Sequence, residues 1–332
     1  MQYPSYPKAL KWKGKRRNGM SKYHKYRKKP KRFLALTSFT VIEFDALLPD
    51  FDKYFRKRME TYTLTGKERK NRPYVGYCNS PFPSSGEKLY FILTYCKTYP
   101  LQEVQAAMFG ISQPKANQWI HGLLPVLWET LAACHALPSR TLQELTLQIK
   151  GHHLFFHDGT ERPILRPIDP VKQRLFYSGK AHAHTIKNNL LIDPFCRILF
   201  LSKTVEGKMH DKKLADQSDY TLPPLSRLSQ DLGFQGFSPD GVVILQPKKK
   251  TKGQPLSDLD KSVNQWHASL HIRMEHAIGG VQRLRIVKDK LRNWKEGFAD
   301  SIMDIACGLH NFRLLFRPWH YPPIQFHLFV DF

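Results

Sequence analysis

The stretch His152-His153-Leu154-Phe155-Phe156-His157-Asp158-Gly159-Thr160-Glu161-Arg162-Pro163 constrains this chain more than any other. Leu154, Phe155 and Phe156 form an apolar run too short for a helix, and Asp158-Gly159 is a breaker pair, so the pattern predicts a buried strand that ends at Asp158 and then turns. An Asp-Gly pair taken alone is a common hairpin turn. Asp158 gains chemical interest from the carboxylates that follow it.

Residues Thr185 to Thr204 read as a hairpin, with Ile186, Leu190, Leu191 and Ile192 on one arm, a turn at Asp193-Pro194, and Ile198 to Leu201 on the other. A polar break, Gly207-Lys208-Met209-His210-Asp211, precedes a helix. Asp231 follows at a glycine-rich bend, Leu232-Gly233-Phe234-Gln235-Gly236, behind a strand poorly written in side chains. Val242 to Leu245 make a better strand and lead to the basic loop that begins Lys248-Lys249-Lys250. Ser257, with Asp260 three positions on, opens a long helix through Val263, Trp266, Leu270, Met274 and Ile278, with Glu275 beside its apolar stripe. Strand, hairpin, helix, strand and long helix is an α/β order suited to a mixed sheet flanked by helices.

Asp158, Asp231 and Glu275 lack the Cys or His partners of a zinc site and offer the hard oxygens that Mg²⁺ or Mn²⁺ prefers. Two such ions about 3.5 to 4 Å apart suit phosphodiester chemistry. His182 and His184 alternate as on a strand and read as exposed strand histidines rather than ligands.

A chain of 332 residues exceeds one usual core and predicts two globular parts and a tail. Its 52 Lys and Arg against 28 Asp and Glu, a formal charge of +24, point to a polyanion, with nucleic acid first among them. Residues 1–32 hold 13 of the basic residues and no acid, with tyrosines and Trp12 between them, which predicts a disordered arm that neutralises phosphates or is simply solvated. The same two readings apply to Lys248, Lys249 and Lys250 and to the basic track after Glu275. Five scattered cysteines support neither a zinc ribbon nor a disulfide framework and fit a reducing compartment, and no run of about 18 apolar residues suggests a membrane span.

Between Phe33 and residue 146 the pattern is helical. Thr40 and Glu43 form a capping box. Ala106, Gly110, Ile111 and Ser112 suit a helix-turn-helix, since Gly permits the tight turn and Ala the close approach. The second helix would carry Gln113, Lys115, Asn117 and Gln118 toward a major groove, unless the pair is an ordinary helical hairpin.

These motifs resemble the DDE transposases of the insertion-sequence and Harbinger-like superfamily. The resemblance rests on His157-Asp158-Gly159-Thr160 with Pro163-Ile164, on Gly207 to His210-Asp211, on Asp231 to Gly236, and on Asn264 leading to Arg273-Met274-Glu275-His276. It extends over roughly residues 33 to 316. It implies an RNase H-like catalytic domain at 147–320, after a helix-turn-helix domain at 33–146 and before a tail at 321–332. It further implies a metal triad of Asp158, Asp231 and Glu275 with two Mg²⁺ or Mn²⁺ ions, support from His210 and Asp211, with Asp211 the competing choice for the second aspartate, DNA contact by Arg273, and a homodimer acting on double-stranded transposon ends and target DNA. Location would be cytoplasmic at the nucleoid in a bacterium and nuclear in a eukaryote. His271 stands where the family commonly has arginine, and Gln282 where it has a basic residue, with Arg273 and Arg283 beside them as substitutes. A nuclease-inactive DNA-binding regulator and a stand-alone RNase H-like nuclease are the rival readings.

Overall fold

The computed structural model describes residues 21–322 and Ile324, except 71–73, 77–79, 150, 219–220 and 251–254. Residues 1–20 of the expected arm, Cys78 and most of the expected tail lie outside the described residues. The elements run α1 Lys22–Arg27, α2 Pro30–Thr37, α3 Val41–Thr61, α4 Ser85–Thr98, α5 Gln102–Phe109, α6 Gln113–Ala133 and α7 Leu142–Gln148. Then come β1 Leu154–Pro163, α8 Pro170–Phe176, β2 Tyr177–Ser178, β3 Ala183–Ile192, β4 Ile198–Leu201, β5 Val205–Glu206 and α9 Asp211–Gln217. β6 Arg227–Gln230, a 3-10 turn at Leu232–Phe234, β7 Val243–Leu245, α10 Asp258–Gln282, α11 Arg285–Lys288 and α12 Phe298–Leu314 complete the order.

The expected mixed sheet is present, and β1 lies at its centre. β1 pairs antiparallel with β3 and parallel with β6, and β7 extends the sheet parallel to β6. β2, β4 and β5 all pair with β3. Alternation along β1 sends Leu154 and Phe156 into the main core with Met274 and Ala277 of α10, and Phe155 to the opposite face with Leu145 of α7.

Two expectations about this region are corrected. The strand does not stop at Asp158: it runs on to Pro163, with Asp158 opposite Leu190 and Gly159 opposite Asn189. The stretch Arg227-Leu228-Ser229-Gln230, unpromising as a strand, is held in place by parallel pairing on both sides, β1 on one and β7 on the other.

The N-terminal part also departs from expectation. Within the supposed arm, residues from Lys22 onward are helical. Tyr23 is buried against Phe44, with ring centroids 5.4 Å apart, and the Arg27 guanidinium pairs with the Asp45 carboxylate. Aromatic anchors give this basic segment the apolar burial that charge counting overlooks. The expected turn between α5 and α6 is found: Gly110 takes the left-handed conformation at φ 66°, and the Ile111 amide donates to the Ala106 carbonyl at 3.1 Å. These helices share a core with the sheet rather than forming a separate all-α unit, for Leu123 and Leu127 of α6 join the same cluster as Leu309 of α12 and Ile192 of β3. The Trp128 indole donates to Asp304 across that junction at 2.6 Å.

Candidate active site

Sheet register creates the site. His157 and Gln230 are the last paired residues of the parallel strands β1 and β6, so Asp158 and Asp231 follow side by side, on strands spaced roughly 4.8 Å apart. By alternation Asp158 shares the face of Phe156, the side covered by α10, and Asp231 shares the face of its register neighbour. The Asp158 carboxylate accepts from the Gly159 amide at 2.7 Å, and that of Asp231 caps the 3-10 turn by accepting from the Gly233 amide at 2.9 Å. Burial, then the charge of Asp231, pushes the Asp158 carboxyl up to about 7, with Asp211 adding to the rise while the Gly159 amide and Lys180 oppose it. His157, next in line, is a packing residue: its ring lies 4.1 Å from that of Phe234, and burial lowers its pKa to about 3.

Asp211 approaches the pair from the other side of β1. Gly159 faces away from α10, and a Cβ there would meet Asp211 Oδ1 at 2.7 Å. A Cβ on Gly233 would meet Asp231 Oδ1 at 3.0 Å and Asp211 Oδ2 at 3.1 Å. The glycines of the two aspartate motifs therefore leave the room that the Asp211 carboxylate occupies, and this close approach, not a turn, is what position 159 requires. Lys187, buried on β3, ties the cluster down. Its ammonium lies 3.0 Å from Asp211 Oδ1 and 3.2 Å from Glu161 Oε1, and donates to the Met209 carbonyl at 3.0 Å. Asn189 donates to the Asp211 carbonyl at 3.0 Å, while His210 is exposed at the N-cap of α9. Sequence reasoning missed Glu161, Lys187 and Asn189. The signal was the run Lys187-Asn188-Asn189 inside an otherwise apolar strand, because buried polar side chains need partners.

α10 crosses the face that Asp158 and Asp231 share. Gln282 near its end donates to Thr160 at 3.5 Å, and His271, depressed by burial, feels the charges of both Asp231 and Glu275. Glu275 is exposed on this helix, one turn beyond His271. Arg273, expected as a DNA contact, is instead buried: it donates to the Pro194 and Pro322 carbonyls and lies 4.3 Å over the Tyr321 ring. A segment beyond α12 thus clasps α10, since His276 stacks on Trp319 at 4.5 Å and bonds the Tyr321 hydroxyl at 2.6 Å.

Among the described residues no three Asp, Glu, His or Cys side chains stand close enough to enclose an ion. Asp158 and Asp231 are adjacent hard-oxygen donors whose mutual repulsion a divalent cation would relieve, so the pair fits Mg²⁺ or Mn²⁺ in kind, and Glu275 stands off from it. The residues expected to touch DNA are dispersed. Gln113 and Asn117 both donate to the Gln102 side-chain oxygen Oε1, at 2.7 and 3.0 Å, Gln118 is half-buried, and Lys115 is exposed. Lys248 pairs with Asp260 at 2.6 Å, and Lys249 and Lys250 are exposed beside it.

Residues 157–311 match the family described as DDE superfamily endonuclease. The chain is 25% identical over 231 residues, 70% of its own length and 81% of the relative's, to the "Probable transposase for insertion sequence element IS702" of Microchaete diplosiphon. No solved structure matches it.

Proposed function

We propose that this chain, whose residues 157–311 match the family described as DDE superfamily endonuclease, is a transposase that cuts one strand at each transposon end and joins the freed 3′-hydroxyl to target DNA. One observation carries the reading: Asp158 and Asp231 directly follow the last parallel pair of β1 and β6, His157 and Gln230, on the face crossed by the helix that bears Glu275.

Asp158, Asp231 and Glu275 would hold two Mg²⁺ or Mn²⁺ ions. When bound, such ions supply Lewis-acid activation of water and stabilisation of the leaving oxygen. The chain's own residues do the rest. The Gly159 and Gly233 amides orient the two aspartates, and Lys187 fixes Asp211 behind them as a supporting carboxylate. In the first step water adds to phosphorus and the bond to the 3′-oxygen breaks, leaving a 3′-hydroxyl and a 5′-phosphate. In the second that hydroxyl attacks a target phosphodiester, and the target's own 3′-oxygen leaves. Lys115, with Gln113, Asn117 and Gln118 around it, would grip the terminal repeats, Lys249 and Lys250 would contact the backbone, and two copies would act together because two ends are joined.

The rival reading is a DNA-binding protein with an inactive nuclease, favoured by the His271 position and by Arg273 being turned into the core. Both are tested on a supercoiled plasmid carrying the DNA that borders the gene. With Mg²⁺ the wild type should nick it, and Asp158→Asn should lose more than the roughly 100-fold that an outer-sphere partner is worth while still binding the duplex. Duplex binding with no Mg²⁺-dependent nicking by the wild type would favour the rival.

A further inference from the structure

Beyond the carboxylates, at the far end of β1 and β3, the surface opens into a cleft of about 770 Å³. Its walls include Arg166, Arg174, Lys208, Gln173, Tyr177 and His184, and no acidic side chain lines it. Three cations face one space. Arg166 donates to Gln173 at 2.8 Å, which holds its guanidinium over the cleft. None of Arg166, Arg174 and Lys208 takes part in an ion pair among the described residues, whereas several other basic side chains of the chain do. Of the neighbouring carboxylates, Asp169 caps α8 by accepting from the Val171 and Lys172 amides, Glu161 is bound to Lys187 and Thr185, and Glu206, two residues before Lys208, is half-buried and does not line the cleft.

The cleft is built into the fold. Gly207 lies so close to β3 that a Cβ would meet Thr185 Oγ1 at 1.9 Å, and its amide donates to the Thr185 carbonyl at 2.9 Å. That approach sets Lys208 beside α8, where its amide donates to the Leu175 carbonyl at 3.2 Å. Tyr177, 45% exposed, stands edge-on to His184 with ring centroids 5.6 Å apart and offers an aromatic face beside the cations. Gly179 lines the cleft, and the charge of Lys180, the next residue, is felt at Asp158. The Lys180 charge thus acts from the loop beside the cleft toward the carboxylate pair.

We infer that the Arg166, Arg174 and Lys208 cleft is a second anion site, which holds consecutive backbone phosphates of a nucleic-acid strand leading to or from Asp158. Three unpaired cations about an open cleft match a repeating phosphate, and an exposed ring suits a base or sugar at its edge. The inference rests on the reading of this chain as a DNA-processing enzyme and adds where the strand continues once it passes the carboxylates.

The test uses the full chain and a duplex of arbitrary sequence, with Ca²⁺ in place of Mg²⁺ so that affinity is read without cleavage. Binding is measured by fluorescence anisotropy across a salt series. For Arg166→Ala/Arg174→Ala/Lys208→Ala, the slope of log affinity against log salt should flatten by roughly 2 to 3, at about 0.9 for each phosphate no longer neutralised. A control, Lys53→Ala/Lys57→Ala/Lys67→Ala, removes the same charge from exposed positions elsewhere and should change the slope by less than half as much. All six side chains are exposed, and unchanged circular dichroism checks the fold of each variant. Equal slopes for the cleft variant and the control overturn the inference. A second arm titrates inorganic pyrophosphate, which separates a polymer from a small phosphorylated ligand. Saturable pyrophosphate binding that the cleft variant loses, with the duplex slope unchanged, would assign the cleft to small molecules and also overturn it. Since neither arm reads cleavage, a failure here leaves the nicking test of Asp158 standing.

Discussion

A methyl group at position 159 would stand 2.7 Å from Asp211 Oδ1, and one at position 279 would meet nothing within 4 Å. Gly159→Ala should therefore cost about 1 to 3 kcal/mol by forcing the carboxylate aside, and Gly279→Ala should gain up to about 1 kcal/mol of helix propensity. Urea denaturation of the two variants beside the wild type checks the pair, and equal midpoints would contradict the packing. Buried histidines give a pH dependence whose direction is fixed. His157 and His310 are each lowered to about 3, chiefly by burial, below an unfolded value of about 6.5. Above that value both states are neutral. As pH falls below it the unfolded chain takes up protons that the folded one refuses, so stability present above about 6.5 is lost progressively toward 3. Asp158 acts oppositely, because its raised carboxyl stabilises the fold at low pH and loses that contribution as pH rises through about 7. The histidine effect is best read in Asp158→Asn, where the urea midpoint should fall between pH 7.5 and pH 5.

At the scale of elements, the two sides of β1 assign different work to the second and third aspartates. Asp231 shares the α10 face with Asp158, and Asp211 comes from beneath Gly159. Asp231→Asn should abolish plasmid nicking as fully as Asp158→Asn, while Asp211→Asn should retain activity reduced by about 10- to 100-fold. The opposite order in a nicking time course would exchange their roles. Helix starts were legible in the chain because capping is local chemistry: Thr40 with Glu43 and Ser257 with Asp260 form the boxes that their spacing announces. Ser257→Ala should cost about 1 kcal/mol in a thermal or urea melt. Strand β6 was hard to read, since its residues are recruited by parallel neighbours distant in sequence and its own propensity says little. Arg273 misled for a related reason. A charged residue beside an apolar helical stripe reads as surface, and only the fold reveals the Pro194 and Pro322 carbonyls and the Tyr321 ring that receive it. The acidic motifs themselves were legible in the chain, but the Lys187 anchor depends on segments meeting across the sheet.

Across the whole molecule, helices and sheet are bound by contacts far apart in sequence. Arg317, after α12, pairs with Glu43 in the capping box of α3, and that carboxylate is fully buried. Arg317→Ala should cost about 1 to 3 kcal/mol, less than a wholly buried pair because the guanidinium is partly solvated and Glu43 keeps the Thr40 amide. Helical and aromatic circular dichroism should report one coincident unfolding transition, as a shared core requires. Two separated transitions would show that the junction of α6 with α12 is too weak to couple the parts. No helix among the described residues is long and apolar enough to cross a membrane. The shared core also behaves as a ruler. On the proposed function, a duplex gripped at α6 would meet Asp158 at an offset set by packed side chains, and cuts should fall at one spacing from the gripped sequence.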